Sequence, residues 1–325
     1  MRDEELPLCT MDVTGLDLAL DVRALTKRYG DFSLRGVTLA VPVGSVVGLV
    51  GRNGAGKTTT MRCVLGTLIP DGGSVRLFGR DVSPGAEGGR AAVRERVAYV
   101  ASVCPYPEFM SIAEVATTWR YAYPRFDYRT FEGLLDRMDI MHQPADAHRP
   151  VSAGIHVGDL SRGQGMKLQL AACLASGADL LVLDEPTAGL DPIVRGEVLS
   201  VVRERMANDP ALSVLISSHI TSDLERLADY VVMLEGGRVA LSAERDLIGD
   251  VMGVARLRSA ELELVEGEGS PVTDCMRVID GAGVAPAELL VPDRAAFLRV
   301  HPGMVCDRAT IEDVMRLVAK GRRLS

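Results

Sequence analysis

The feature that most limits what this chain can fold into is the string Gly51-Arg52-Asn53-Gly54-Ala55-Gly56-Lys57-Thr58-Thr59. It follows the apolar run Val46 to Val50 and leads into a segment that reads as a helix from about Gly56. A strand, a glycine loop and a helix in that order make a phosphate-binding loop. The glycines let the backbone wrap a phosphate without side chains in the way. Their N–H groups point inward, and the helix N-terminus adds positive potential. In such a loop Lys57 reaches the β- and γ-phosphates and the Thr58 hydroxyl ligates Mg2+. Only four of the 36 basic residues are lysine, Lys57 among them.

The rest of the chain alternates short apolar runs with helical patterns. LALDVRAL and FSLRGVTLAV are β-like and are separated by the turn-prone Tyr29-Gly30-Asp31. Ser74 to Phe78, Arg96 to Val100, Leu180 to Asp184 and Ser213 to Ser217 read as further strands. YVVMLE and RVALS read as a hairpin turning at Gly236-Gly237. Runs of four to six apolar residues between helices imply a largely parallel sheet covered on both faces. Residues 111–178 are mostly helical in pattern. Capping-box signatures stand at Ser111/Glu114, Ser222/Glu225 and Thr310/Asp313, and Asp191-Pro192 opens a helix. Near residue 255 the character changes. RLRSAELELVEG alternates with period two, ELLVP and AFLRV read as short strands, and TIEDVMRLVAKG reads as an amphipathic helix.

Composition excludes several classes. The net charge of −8 argues against a general nucleic-acid binder, which needs a basic face to release counterions. The six cysteines are scattered, with no CxxC, and the five histidines form no HxxxH pair, so the reading is a reducing compartment without a zinc site. The opening MRDEELPL lacks the apolar stretch of a signal peptide, and the run Val41 to Gly51 is too short and interrupted to span a bilayer.

Two more motifs follow the loop. Leu180-Leu181-Val182-Leu183-Asp184-Glu185 is an apolar strand ending in two carboxylates. Downstream of a phosphate-binding loop, Asp184 is placed for the Mg2+ shell and Glu185 for polarising an attacking water. Leu160-Ser161-Arg162-Gly163-Gln164 begins a helix whose apolar positions Met166, Leu170, Cys173 and Leu174 share a face. Together the three elements resemble the nucleotide-binding subunit of an ABC transporter, over about residues 18–250. In the family's order, Tyr29 matches the aromatic that stacks on adenine, Ala188-Gly189-Leu190-Asp191 matches the D-loop, and His219 matches the switch histidine. PYPEFMSIAEV, SSHITSDLERLADYVVMLEGGRV and TIEDVMRLVAKG resemble the bacterial ABC-2-type ATPases grouped with antibiotic-responsive exporters.

The resemblance implies an α/β fold: a P-loop ATPase core of mostly parallel sheet with an antiparallel β subdomain and a helical subdomain, plus a small C-terminal α+β appendage. It divides the chain into an acidic lead (1–15), an ATPase domain (16–254, with the helical part at about 104–178) and the appendage (255–325). It implies ATP hydrolysis with ATP and Mg2+, Glu185, His219 and Lys57 being catalytic and Thr58, Asp184 and Ser102 lying near the metal. Nucleotide contacts fall to Tyr29, Gly51 through Thr59, Ser161, Gly163, Gln164 and Asp191. The partners implied are a separate integral membrane permease, driven for export, and a second ATPase subunit, the same chain or a related one, arranged head to tail with two ATP molecules between. The expected place is the cytoplasmic face of the cell membrane, and no nucleic acid is expected. Two departures stand out: Arg162 occupies a position usually glycine, and Ser102 occupies the slot of the Q-loop glutamine. The competing classes are a soluble ABC ATPase acting on ribosomes or DNA, which usually carries two modules or a coiled-coil insertion, and a nucleotide-dependent regulator. GTPases and small-molecule kinases lack an LSRGQ element, and no NKxD motif occurs here.

Overall fold

In the computed structural model of the chain, the described residues are 11–30, 32–83, 90–140, 154–267, 276–281 and 286–324. Most of the acidic lead, the Gly85–Gly89 connector and the part of the helical region at 141–153 lie outside them.

Three sheets organise the chain. Strands β1 (Leu18–Tyr29), β2 (Phe32–Pro42), β4 (Gly72–Leu77) and β5 (Arg80–Asp81) form an antiparallel sheet in the order β2-β1-β4-β5. The central sheet holds β3 (Val46–Val50), β6 (Val97–Val100), β7 (Leu180–Asp184), β8 (Ser213–Ser218), β9 (Tyr230–Glu235) and β10 (Arg238–Glu244), in the order β10-β9-β3-β8-β7-β6. Its pairs are parallel except the β9–β10 hairpin at one edge. The third sheet is antiparallel, in the order β14-β11-β13-β12-β15. Its strands are β11 (Gly253–Leu257), β12 (Arg277–Ile279), β13 (Ala287–Val291), β14 (Cys306–Arg308) and β15 (Arg322–Arg323).

The continuous apolar runs of the central strands follow from burial on both faces. Side chains alternate across a strand, and here the alternation sorts residues into two cores. Val46, Leu181, Val214 and Val231 belong to one, and Val47, Leu180, Leu215 and Val232 to the other. The second core is closed by the antiparallel sheet, by α1 (Lys57–Val64) and by α2 (Arg90–Arg94), which contributes Val93. The first is closed by α3 (Ile112–Ala122), α4 (Tyr128–Arg137), α5 (Arg162–Ala175), α6 (Pro192–Asn208) and α7 (Thr221–Leu227). Helix α5 was expected to bury one face, yet every residue from Gly165 to Ala175 is buried. That is the pattern of a helix surrounded by other elements.

The capping boxes at Ser111/Glu114 and Thr310/Asp313 form as expected. The one expected at Ser222/Glu225 does not. Helix α7 starts two residues earlier, with Ile220 at its N-cap, and the Ser222 hydroxyl accepts instead from Arg195 Nη2 at 2.7 Å.

Past Gly253 the expected α+β character holds, but two strand expectations are corrected. Residues Ser259–Gly267 form helix α9. Arg258 N–H donates to Glu261 Oε2 at 2.8 Å, which stabilises the first turn. Leu262 and Val265, three apart, are buried, while Leu264 is exposed, so the helical period overrides the alternation of Leu and Glu. The segment AFLRV lies in α10 (Arg294–Val300), because Asp293 caps it by accepting from Ala296 N–H at 2.8 Å. Helices α8 (Arg245–Asp250) and α11 (Ile311–Lys320) complete the chain. One face of the third sheet has its own core around Leu257, Leu289 and Phe297. Val254 and Leu290, with Ile311, Val314 and Leu317 of α11, join the core of the central sheet instead. Leu317 is fully buried there. Leu317→Ala is expected to lower stability by about 2–5 kcal/mol, read by chemical denaturation, because a cavity opens where the third sheet meets the body.

Candidate nucleotide-binding site

Four parallel strands send their C-terminal ends to one edge of the central sheet. After β3 comes the glycine loop, after β6 Ser102, after β7 Glu185, and after β8 His219. Strand β8 lies between β3 and β7, so sheet order alone brings the loop, the carboxylates and the histidine together. Ligands in open α/β sheets bind outside this edge.

The glycine loop depends on residues without a Cβ at two places. Gly56, at the N-cap of α1, has φ +113°, and a Cβ there would fall 2.6 Å from Leu34 Cδ2. At Gly51 a Cβ would fall 2.4 Å from the Leu234 carbonyl oxygen. The loop is clamped from outside: Gly237 N–H donates to the Ala55 carbonyl at 3.2 Å, and the Gly237 carbonyl accepts from Arg35 N–H at 2.8 Å. Lys57 is 6% exposed. Its Nζ donates to the Gly51 carbonyl at 2.7 Å and lies 3.3 Å from Glu185 Oε1.

Asp184 is buried, and its Oδ1 accepts from Thr58 Oγ1 at 3.2 Å and from Ser217 Oγ at 2.7 Å. Tyr99 OH lies 3.5 Å from Asp184 Oδ2. Burial, and after it the negative Asp184, push the Tyr99 hydroxyl up to about 12, so it stays protonated as a donor. Glu185 has φ +50°, a left-handed conformation that a side chain with a Cβ rarely adopts. Its N–H donates to Ser217 Oγ at 2.9 Å. Its Oε2 lies 2.6 Å from His219 Nδ1 and accepts from His219 N–H at 3.2 Å. Glu185 is thus held between an ammonium and an imidazole.

Glu185 and His219 line a cleft of about 510 Å³ together with Tyr29, Phe32, residues 52–59, Ser102 and Ala188, while Gly51, Asp184, Tyr99 and Ser217 lie behind its wall. Tyr29 is largely exposed at its mouth. Sequence reading had missed Phe32, Ser217 and Tyr99. For Ser217 a signal existed: two serines follow the apolar Val214-Leu215-Ile216 at the end of the SVLISS strand.

Ser161, Gly163, Gln164 and Asp191 do not line this cleft. Ser161 Oγ accepts from Gln164 N–H at 3.3 Å and Gln164 Oε1 accepts from Ser161 N–H at 2.9 Å, so the pair is the capping box of α5. Asp191 Oδ1 caps α6 by accepting from Ile193 and Val194 N–H. Arg162 reaches the loop before α6, where its Nη2 donates to the Ala188 carbonyl at 2.9 Å and its guanidinium covers Gly189. Beside Ser102, Ala101 N–H donates to Oε1 of the buried Gln169 at 3.1 Å.

A phosphate-binding loop and paired carboxylates at the C-terminal edge of a parallel sheet define a P-loop nucleoside triphosphatase. Comparison with known proteins narrows the class. Residues 34–188 match the ABC transporter family. The chain is 32% identical over 276 residues to Nod factor export ATP-binding protein I of Cupriavidus pinatubonensis, covering 82% of this chain and 80% of that one. It is 32% identical over 247 residues to the daunorubicin/doxorubicin resistance ATP-binding protein DrrA of Streptomyces peucetius, covering 74% and 70%. A solved ATP-binding subunit of an ABC transporter superposes with a TM-score of 0.59 at 27% identity, covering 71% of this chain and 91% of that one. The chain belongs to the ABC transporter ATP-binding family, and it is an ATP-hydrolysing subunit that powers a membrane transporter.

Proposed function

We propose that this chain drives export through a separate integral membrane permease, with Glu185 as the general base of ATP hydrolysis. The observation that carries the reading is the position of Glu185, between Lys57 and His219 and next in sequence to the Asp184–Thr58 pair. Lys57 and the amides of residues 51–59 bind the β- and γ-phosphates, and Tyr29, with Phe32 beside it, offers an aromatic surface to the adenine. Thr58 Oγ1 and Asp184 Oδ1 are hard oxygens 3.2 Å apart, a donor set that fits Mg2+ completed by phosphate oxygens and water. Bound Mg2+ supplies neutralisation of phosphate charge. Ser102, short for its slot, contributes through water. Glu185 accepts the proton of the attacking water, and His219 orients Glu185.

The start of α5 carries the second half of the reading. Ser161 and Gly163, at a helix N-terminus on the surface, present donors to the γ-phosphate of an ATP held by a second ATPase subunit, identical or related. Gln164 and Asp191 serve there by fixing the ends of α5 and α6. The domain division proposed is 16–254 for the ATPase, with the helical part at about 104–178, and 255–325 for the appendage. Export is supported by what the relatives are named for: Nod factor export in one and daunorubicin/doxorubicin resistance in the other.

Among the described residues no helix is long and apolar enough to cross a membrane, so the proposed place is the inner membrane face, held by the permease. The permease docks near residues 100–125. Of the five aromatics there, Trp119 is buried, donates from Nε1 to Tyr106 OH at 2.8 Å and stacks on Tyr123, which assigns these three to the core, while Phe109 is 81% and Tyr121 88% exposed. An exposed aromatic suits an interface anchor. The protein is expected to pellet with membranes only when its permease is co-expressed, and Phe109→Asp to weaken that co-pelleting. Pelleting with ribosomes regardless of the permease would favour a soluble ABC ATPase instead.

A further inference from the structure

Seven residues, from Glu185 to Asp191, join the end of β7 to the start of α6, and they carry Glu185 in a strained backbone conformation. A left-handed conformation at a residue with a Cβ persists only where its surroundings over-determine it. One constraint is Ser217, which receives the Glu185 N–H. A second comes from a residue that sequence reading passed over.

Asp223 is fully buried in the first turn of α7, four residues past His219. Its Oδ2 accepts from Thr187 Oγ1 at 2.6 Å. Thr187 is also fully buried and lies two residues after Glu185. Asp223 Oδ1 lies 2.7 Å from Arg195 Nε, a contact that is ionic rather than a well-aligned hydrogen bond. Arg195 sits in the first turns of α6, just past the far end of the same seven residues, and it also donates to Ser222. One buried carboxylate therefore grips the connection near its start and beyond its end, and fastens both to the helix that follows His219. The same two segments meet again at the Glu185–His219 contact of 2.6 Å.

A buried charge is costly unless paired and hydrogen-bonded. Thr187 and Arg195 between them occupy both oxygens of Asp223. A buried apolar contact would hold α7 against α6 just as firmly, but it would not set where the backbone after Glu185 lies. A hydrogen bond of 2.6 Å with a defined direction does.

We infer that Asp223, acting through Thr187, is a positioning residue for hydrolysis: it sets the placement of Glu185 against His219. The inference rests on the role proposed above for Glu185. It predicts that loosening this clasp lowers the rate of the chemical step while leaving nucleotide affinity alone, because no member of the clasp lines the cleft.

The decisive variant is Thr187→Val, which keeps the shape and removes the hydroxyl. It is expected to lower kcat by about tenfold, with the dissociation constant of a fluorescent ATP analogue changed by less than about twofold. Thr187→Ser, which restores the hydroxyl, is expected to stay within about twofold of the original kcat. In a Glu185→Gln background, Thr187→Val is expected to cost nothing further, since the residue it positions is already disabled. An unchanged kcat in Thr187→Val, an equal loss in Thr187→Ser, or a further loss of the same size in the Glu185→Gln background would each overturn the inference. If Thr187→Val does not fold, Arg195→Gln decides. It removes the ion pair at a partly exposed position, and a fall in kcat at constant affinity supports the clasp, whereas an unchanged kcat rejects it. A Glu185→Gln protein that hydrolyses at the original rate would instead remove Glu185 from catalysis, and the positioning role with it. That outcome is distinguishable because it needs no change at Thr187.

Discussion

Glu185→Gln is expected to cut ATP hydrolysis on the order of a hundredfold or more, the usual scale for losing a general base, while ATP still binds. Glutamine keeps the length of the side chain and an acceptor oxygen for His219 N–H, which Glu185 Oε2 receives at 3.2 Å. It cannot take a proton and carries no charge. The change also removes the ion pair of 3.3 Å between Lys57 and Glu185, so the ammonium is freer for phosphate. One negative charge fewer beside a triphosphate favours the closed, ATP-bound pair of subunits. Phosphate release measures the rate, and size-exclusion chromatography with ATP measures the dimer. A wild-type rate removes Glu185 from the catalytic role. A slow variant that stays monomeric in ATP keeps the chemistry and rejects the head-to-tail pair built on Ser161 and Gly163.

Lys57→Ala is expected to abolish measurable ATPase activity through weaker binding. Lys57 is buried among backbone carbonyls and the glycine loop, and it is the lysine that lines the cleft. Hydrogen bonds to a charged group contribute about 1.5–3 kcal/mol each, so losing one phosphate contact weakens ATP binding by roughly tenfold to a hundredfold. The same change removes the ammonium 3.3 Å from Glu185, so the carboxylate is less well placed for whatever nucleotide still binds. Titration with a fluorescent ATP analogue separates the two losses. Unchanged turnover would refute the assignment of the loop to phosphate binding.

Local chemistry made much of this site readable before any fold was known. Glycines spaced around Lys57, an apolar strand closing on Asp184-Glu185, and Ser161 three residues ahead of Gln164 are short-range patterns, each set by what neighbouring residues do to one backbone segment. Burial on both faces of the central sheet was legible for the same reason, since Val46 to Val50 and Leu180 to Leu183 show no polar alternation. The strand expectations for 259–267 and for the AFLRV segment failed because short mixtures of Leu, Glu, Ala and Arg satisfy either period. The deciding groups were Glu261 and Asp293, which complete helix starts. The box expected at Ser222 failed because the helix begins at Thr221, which puts Ser222 inside its first turn, where its hydroxyl accepts from Arg195, 27 residues earlier.

The sequence by itself determined the kind of chemistry here: which residues can wrap a phosphate, which can hold a hard cation, and which can accept a proton. Only the tertiary structure decided how they meet. The order β3-β8-β7 sets His219 between the loop and the carboxylates, so that Glu185 touches both Lys57 and His219 although 128 and 34 residues separate them in the chain. It also decided that Asp223 reaches Thr187 across 36 residues and that Ser161, Gln164 and Asp191 hold helix ends outside the cleft. The physical reason is range. A turn, a cap or a strand is settled by the few residues around it, whereas a contact between distant segments exists only once the sheet has set the order of its strands and the cores on either side have closed.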